Sequence, residues 1–134
     1  MGRHEKAVIT EVYRAILKQF SFKKKDRILK RREFLQLKNC GKKIHDTNFL
    51  AIYSGGRYRK NRIGITVTKK LGNAVKRNKI KRLTREHFRI NRDQIAEFMD
   101  INIIAKKKAG EISVDMVFKS LDRLQKKMPR RTNH

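Results

Sequence analysis

The sequence predicts an α/β fold in a single domain, and three observations carry that prediction. The chain has 134 residues, close to the usual size of one domain and long enough to bury one core. Two short β-type runs, Asn48–Tyr53 and Arg62–Thr68, precede a third at Ile101–Ala105. Helical periodicity fills Asn73–Arg92 between them and returns from Ser113 to just before Pro129. Strands alternating with helices in this way give helices layered on a small central sheet.

Taken in order, residues 7–20 read as a helix, because Ile9, Val12, Tyr13, Ile16, Leu17 and Phe20 recur on one face. A basic run from Lys23 to Arg32 leads into a short helix around Phe34 and Leu37, with Gly41 as its stop. In Asn48–Tyr53 both alternating sets are apolar, which predicts a central strand. Ser54-Gly55-Gly56, followed by Arg57–Asn61, supplies a turn. In Arg62–Thr68, Ile63, Ile65 and Val67 point one way and Gly64, Thr66 and Thr68 the other. One face is therefore buried, and the other is small, polar and open to a ligand.

The long helix places Ile80, Leu83, His87 and Ile90 on one side and Asn78, Lys81, Arg82, Arg85, Arg89 and Arg92 on the other. Asn73 is its expected cap. Ser113 caps a last helix whose Val114, Val117, Phe118, Leu121 and Leu124 face inward. These elements divide the chain into a helical extension (1–20), a domain (21–128) and a basic tail (129–134).

Charge narrows the function. The 37 Lys and Arg against 12 Asp and Glu give a net charge of +25. Residues 21–92 hold 24 of those cations and only 4 of the acids. Such one-signed charge repels itself, and phosphates relieve the repulsion, which points to nucleic acid as partner. Leu, Ile, Val and Phe make up 36 of the 134 residues, enough for a basic chain to fold. No apolar run approaches the ~18–20 residues of a membrane span. No secretory pattern opens the chain, and the single Cys40 fits a reducing cytoplasm and an ordinary structural role.

Phosphodiester hydrolysis needs an activated nucleophile and charge neutralisation at phosphorus. Asp26, Glu33, Asp46 and Glu86 form no spaced pair able to hold Mg²⁺. His4, His45, His87 and His134 form no metal-binding motif, and His87 reads as a core or boundary residue. Gly55-Gly56 lacks the ending of a phosphate loop. No catalytic residue is assigned.

The informative stretch runs from Arg62 to Glu86. A strand passes through a basic connection into a helix whose N-terminus opens at the strand's end. Lys69, Lys70 and Lys76 gather there around free N–H groups and a positive dipole end, a setting suited to an anion. Lys81, Arg85, Arg89 and Arg92 follow every three or four residues, and Asn78 among them can read a 2′-hydroxyl or base edge.

Those residues also carry a resemblance. Lys69-Lys70, Gly72-Asn73-Ala74-Val75, Arg77-Asn78-Lys79, Ile80-Lys81-Arg82 and Arg85-Glu86 resemble the signature of the bacterial ribonuclease P protein family. The resemblance extends over residues 21–128, through Arg27-Ile28 and Phe34 upstream and Ile101–Ala105 downstream. It implies a ribosomal-protein-like α–β sandwich with a left-handed strand–helix–strand crossover, against a right-handed expectation of ~98%. It also implies a protein without cleavage chemistry or cofactor of its own. Such a protein, a monomer in the particle, joins a catalytic RNA whose Mg²⁺ ions drive removal of the 5′ leader from precursor tRNA. By position, Lys69, Lys70, Asn73, Arg77, Asn78, Lys79, Lys81, Arg82 and Arg85 face that RNA, with Lys76 and Arg89 beside them. The leader cleft takes Phe34, Thr66, Thr68 and the strand residues Phe49, Ile52 and Tyr53.

Three positions depart from the family pattern. Lys79 replaces an arginine, keeping charge but losing bidentate geometry. Lys38 stands in the cleft where a second aromatic is expected one turn after Phe34, trading stacking for a phosphate contact. Ile52 followed by Tyr53 replaces a single strand tyrosine, so a one-residue slip decides whether Tyr53 is platform or core. Ile52 is expected in the core. A second reading, a ribosomal or chaperone-like RNA binder with no role in processing, is separated by whether the protein stimulates 5′ maturation.

Overall fold

A computed structural model describes residues 26–55, 60–96 and 98–130. The expected helix at 7–20, the start of the basic run and the last four residues of the tail lie outside them. Seven main elements follow in order: α1 (Arg31–Cys40), β1 (Lys42–His45), β2 (Phe49–Gly55), β3 (Arg62–Val67), α2 (Ala74–Asn91), β4 (Met99–Ala105) and α3 (Val114–Lys127). The four strands form one sheet in the order β1-β2-β4-β3. β1 with β2 and β2 with β4 are antiparallel. β3 and β4 are parallel, so α2 is the crossover helix between them.

The register sorts the side chains onto two faces. Tyr53, Ile101 and Ile63 align across the sheet, as do Ala51, Ile103 and Ile65, and Phe49, Ala105 and Val67. This face meets Ile80, Leu83 and Phe88 of α2 and Val117, Leu121 and Leu124 of α3 in the main core. The other face carries the rows Ile52–Asn102–Gly64 and Leu50–Ile104–Thr66. Among the described residues, Ile28, Phe34 and Leu37 cover part of it.

Helix ends follow local chemistry. The Asn73 side chain accepts from Lys76 N–H, and Ser113 accepts from Met116 N–H, as expected of both caps. Gly41 ends α1, its N–H donating to the Leu37 carbonyl at 2.7 Å. Three expectations need correction, the first being that Val114, expected to face inward, is 40% exposed at the start of α3. β1 has a single apolar residue, Ile44, and forms because Lys42–His45 pairs in register with Leu50–Tyr53, a tertiary cause with no local pattern. Ile90 is 49% exposed, and Phe88 takes the buried place instead. The sheet-facing stripe is centred on Ile80, Thr84 and His87, and Ile90 lies off its edge.

Candidate nucleic-acid interface

At the C-terminal end of β3 the chain turns through Lys69–Leu71 and reaches Gly72, whose φ of 154° and ψ of −163° suit glycine alone. Leu71 is buried in the core, which pins the turn and leaves Lys69 and Lys70 exposed. Asn73 then caps α2 by accepting from Lys76 N–H at 3.0 Å. Asn73, Lys76, Asn78, Lys79 and Arg82 are exposed, while Arg77, Lys81, Arg85 and Arg89 are half-buried along the flanks. The expected basic face is therefore present, but as an outer strip and a partly sheltered flank.

The flank is electrostatically unusual. The segment Arg27-Ile28 runs beside β3, with Arg27 bridged in parallel to Ile63 and Ile28 N–H donating to the Ile63 carbonyl at 2.9 Å. This brings Arg27 near Arg85. Burial, and then the Arg27 charge, weaken the hold of Arg85 on its proton relative to an ordinary guanidinium. Arg77, Lys81 and Arg85 stand four residues apart, about 6 Å each along the axis. That spacing is close to successive phosphates of one strand.

Among the described residues, acidic side chains are placed to leave this surface unanswered. Asp26 pairs with Lys60 and Arg92, Glu33 and Asp100 with Arg62, Asp46 with Arg123, Glu86 with Arg89, Asp115 with Lys119, and Asp122 with His87. No carboxylate occurs between Arg62 and Arg85. Arg89 and Arg92, expected on the open face, are thus each answered by an acid. Lys69, Lys70, Lys76, Arg77, Lys79, Lys81, Arg82 and Arg85 have no such ion pair among the described residues.

Beside α1, the described residues leave part of the second sheet face open, at Leu50, Thr66 and Ile104. Phe34 packs on Gly64 so closely that a β-carbon there would lie 2.6 Å from Phe34 Cζ. Glu33, the preceding residue, binds Arg62, which is itself held by Asp100 through two contacts of 2.9 Å. The Asp100 hydrogen bonds, outweighing burial, and then Glu33 strengthen the hold of Arg62 on its proton. This cluster fastens α1 to the sheet. Phe34 and Thr66 are half-buried, and Lys38 and Thr68 are exposed.

The cleft expectation is corrected at two positions. Phe49 is fully buried and Tyr53 packs against the main core, because odd-numbered β2 residues point to the helix-covered face. Tyr53 is core, not platform. Ile52 shares the face of Phe34 and Thr66 but is 2% exposed, as expected of a core residue. Sequence reasoning missed Asn102, whose Oδ1 accepts from the Thr66 hydroxyl at 3.1 Å. The available signal was one amide in the otherwise apolar Ile101–Ala105 run.

His87 is 7% exposed and joins α2 to α3 through Nε2 and Asp122 Oδ1, 2.6 Å apart. It is a boundary residue, as expected. Among the described residues no cluster of three or more His, Cys, Asp or Glu side chains is placed to hold a metal ion. Among the same residues no helix is long and apolar enough to cross a membrane.

Known proteins resemble this chain in sequence and fold. The family model for ribonuclease P matches residues 22–129. A ribonuclease P protein component of Desulfosudis oleivorans is 49% identical over 111 residues, covering 83% of this chain and 92% of its own. One from Syntrophus aciditrophicus is 43% identical over 113 residues, covering 84% and 95%. The RNase P protein of Staphylococcus aureus matches with a TM-score of 0.72 at 34% identity, covering 75% of this chain and 93% of its own. That of Thermotoga maritima matches with a TM-score of 0.70 at 34% identity, covering 76% and 96%. Matched in sequence over most of its length and in fold by solved members, the chain belongs to the ribonuclease P protein family.

Proposed function

We propose that this protein binds the catalytic RNA of ribonuclease P through α2 and its entrance, and the 5′ leader of precursor tRNA along the groove beside α1. The observation that carries the reading is the carboxylate-free stretch from Arg62 to Arg85, which displays eight cations with no ion pair among the described residues, while acids elsewhere hold the body together. A polyanion completes such a surface. The groove supplies an aromatic, Phe34, and the Thr66 hydroxyl beside it, a combination that suits unpaired nucleotides.

The protein's work in this reading is to bind and orient. Its cations lower the repulsion between leader and catalytic RNA, and bond breaking is assigned to the RNA. The Mg²⁺ ions that neutralise charge at the scissile phosphate are assigned to that RNA too. Glu86 and Asp26 are already engaged by Arg89, Lys60 and Arg92, and Glu33 by Arg62. A cytoplasmic particle containing one copy of the protein completes the reading.

The deciding experiment is cleavage of precursor tRNA at low Mg²⁺ with protein alone, RNA alone and both together. Cleavage in the combined sample only is expected. Cleavage by protein alone would overturn the assignment of chemistry to RNA. Binding of structured RNA without stimulated 5′ processing would favour a ribosomal or chaperone-like role.

A further inference from the structure

We propose that Asn102, held in place by Thr66, reads the edge of an unpaired nucleobase lying against Phe34, and so confers a base preference on the groove. The inference rests on the leader-binding reading above and assigns to it a specificity residue.

Asn102 is out of place by composition. It interrupts the run Met99–Ala105, where Ile101, Ile103 and Ala105 fill the core on one face. It lies on the opposite face, between Ile52 and Gly64, and is only 6% exposed. An amide so deeply placed costs stability unless its polar atoms find partners. Its Oδ1 has one, the Thr66 hydroxyl. Its Nδ2 makes no hydrogen bond among the described residues.

The direction of the side chain follows from that bond. Thr66 belongs to the next row, with Ile104 and Leu50, all three of them half-buried. The amide therefore leans along the sheet towards Thr66, the half-buried end of this face among the described residues. With its proton given to Asn102, the Thr66 oxygen is left as an acceptor. Side by side, the pair presents an N–H donor and an oxygen acceptor.

That pairing complements a nucleobase edge, where acceptor and donor atoms also stand adjacent. Phe34, fixed on Gly64, supplies a ring for the base to lie against. A base with the wrong edge leaves the buried amide without a partner, and that unmet bond is what discriminates. A sugar or phosphate contact alone would give no such choice.

The test uses the assembled protein–RNA particle and precursors that differ in one leader nucleotide at a time, with leaderless tRNA as reference. Wild type is expected to prefer one base over the worst at a single leader position by about 5–50-fold. Asn102→Val should reduce that ratio below about twofold and leave leaderless tRNA affinity unchanged. Asn102→Ser, which keeps a small polar group but removes the amide, should do the same and serves if the valine variant fails to fold. An undiminished preference in either folded variant would overturn the proposal. So would equal losses for leader-bearing and leaderless tRNA, which would place Asn102 in the fold alone. If the leader adds no affinity even in wild type, the groove reading itself fails and takes this inference with it.

Discussion

The eight cations without ion pairs allow a quantitative test in which salt is the perturbation. If each neutralises one phosphate, the slope of log affinity against log salt should approach about −0.7 to −0.9 per contact, or roughly −6 to −7 in total. Raising salt from 50 to 200 mM should then weaken binding to the catalytic RNA by about 10³–10⁴-fold. The structure makes a sharper claim about single residues. Arg82 is exposed and has no carboxylate partner among the described residues, so Arg82→Gln should make the slope shallower by about one. Arg89 lies on the same helix but is bound to Glu86, and its charge is already answered. Arg89→Gln should change the slope much less. Fluorescence anisotropy with labelled RNA across a salt series measures both. A flat wild-type response, or equal slope changes for the two variants, would refute the division between answered and unanswered cations.

Other consequences concern the groove and the body. Phe34→Ala should weaken leader-bearing precursor by about 1–3 kcal/mol through lost stacking and leave leaderless tRNA nearly unaffected, measured by paired binding titrations. Gly64→Ala forces a methyl into the Phe34 ring and should destabilise the fold by about 1–3 kcal/mol, with a parallel loss of leader affinity; denaturant melts that match wild type would contradict the close approach. Burial would raise the Asp46 pKa, but the Arg123 hydrogen bond, the Asn48 N–H and the Arg123 charge together hold it below its ordinary value of 3.8. Its contribution is therefore complete above about pH 4 and lost as pH falls through the lower folded value. Asp46→Asn should cost about 1 kcal/mol at neutral pH, a deficit that shrinks on acidification in denaturant melts at stepped pH.

Much of this architecture was legible because it is written locally. The alternation in Arg62–Thr68 separated a buried from an open face, and the 3.6-residue period of α2 separated Ile80 and Leu83 from Asn78 and Arg82. Asn73 and Ser113 announced the helix starts through their own side chains. What stayed hidden depends on partners distant in sequence. β1 exists only in register with β2, and Tyr53 could not be assigned a face until that register was known. The Arg27–Arg85 approach needs a chain segment lying beside β3 from outside the sheet. The answering of Arg89 by Glu86 was readable as an i, i+3 pair, but a rotamer decides it.

The two proposed ligand surfaces are joined by one strand. On one side β3 contributes Ile63 and Val67 to the core that holds α2; on the other, Gly64 and Thr66 floor the groove. Its C-terminal end becomes the basic turn that opens the helix. A single strand thus fixes the distance between the groove and the cations, with one short turn between them. In the proposed reading, RNA seated on α2 and a leader seated beside Phe34 would thereby be held in a set relation, with no hinge required. A change that shifts β3 should disturb both interactions together, whereas a change in Phe34 or Arg82 should disturb only one. Arg62→Met tests this: removing the guanidinium leaves Glu33 and Asp100 facing each other, which should loosen α1 and the start of β3 at once. Joint loss of leader discrimination and RNA affinity is expected in binding titrations, and loss of the first alone would show that the strand does not couple them.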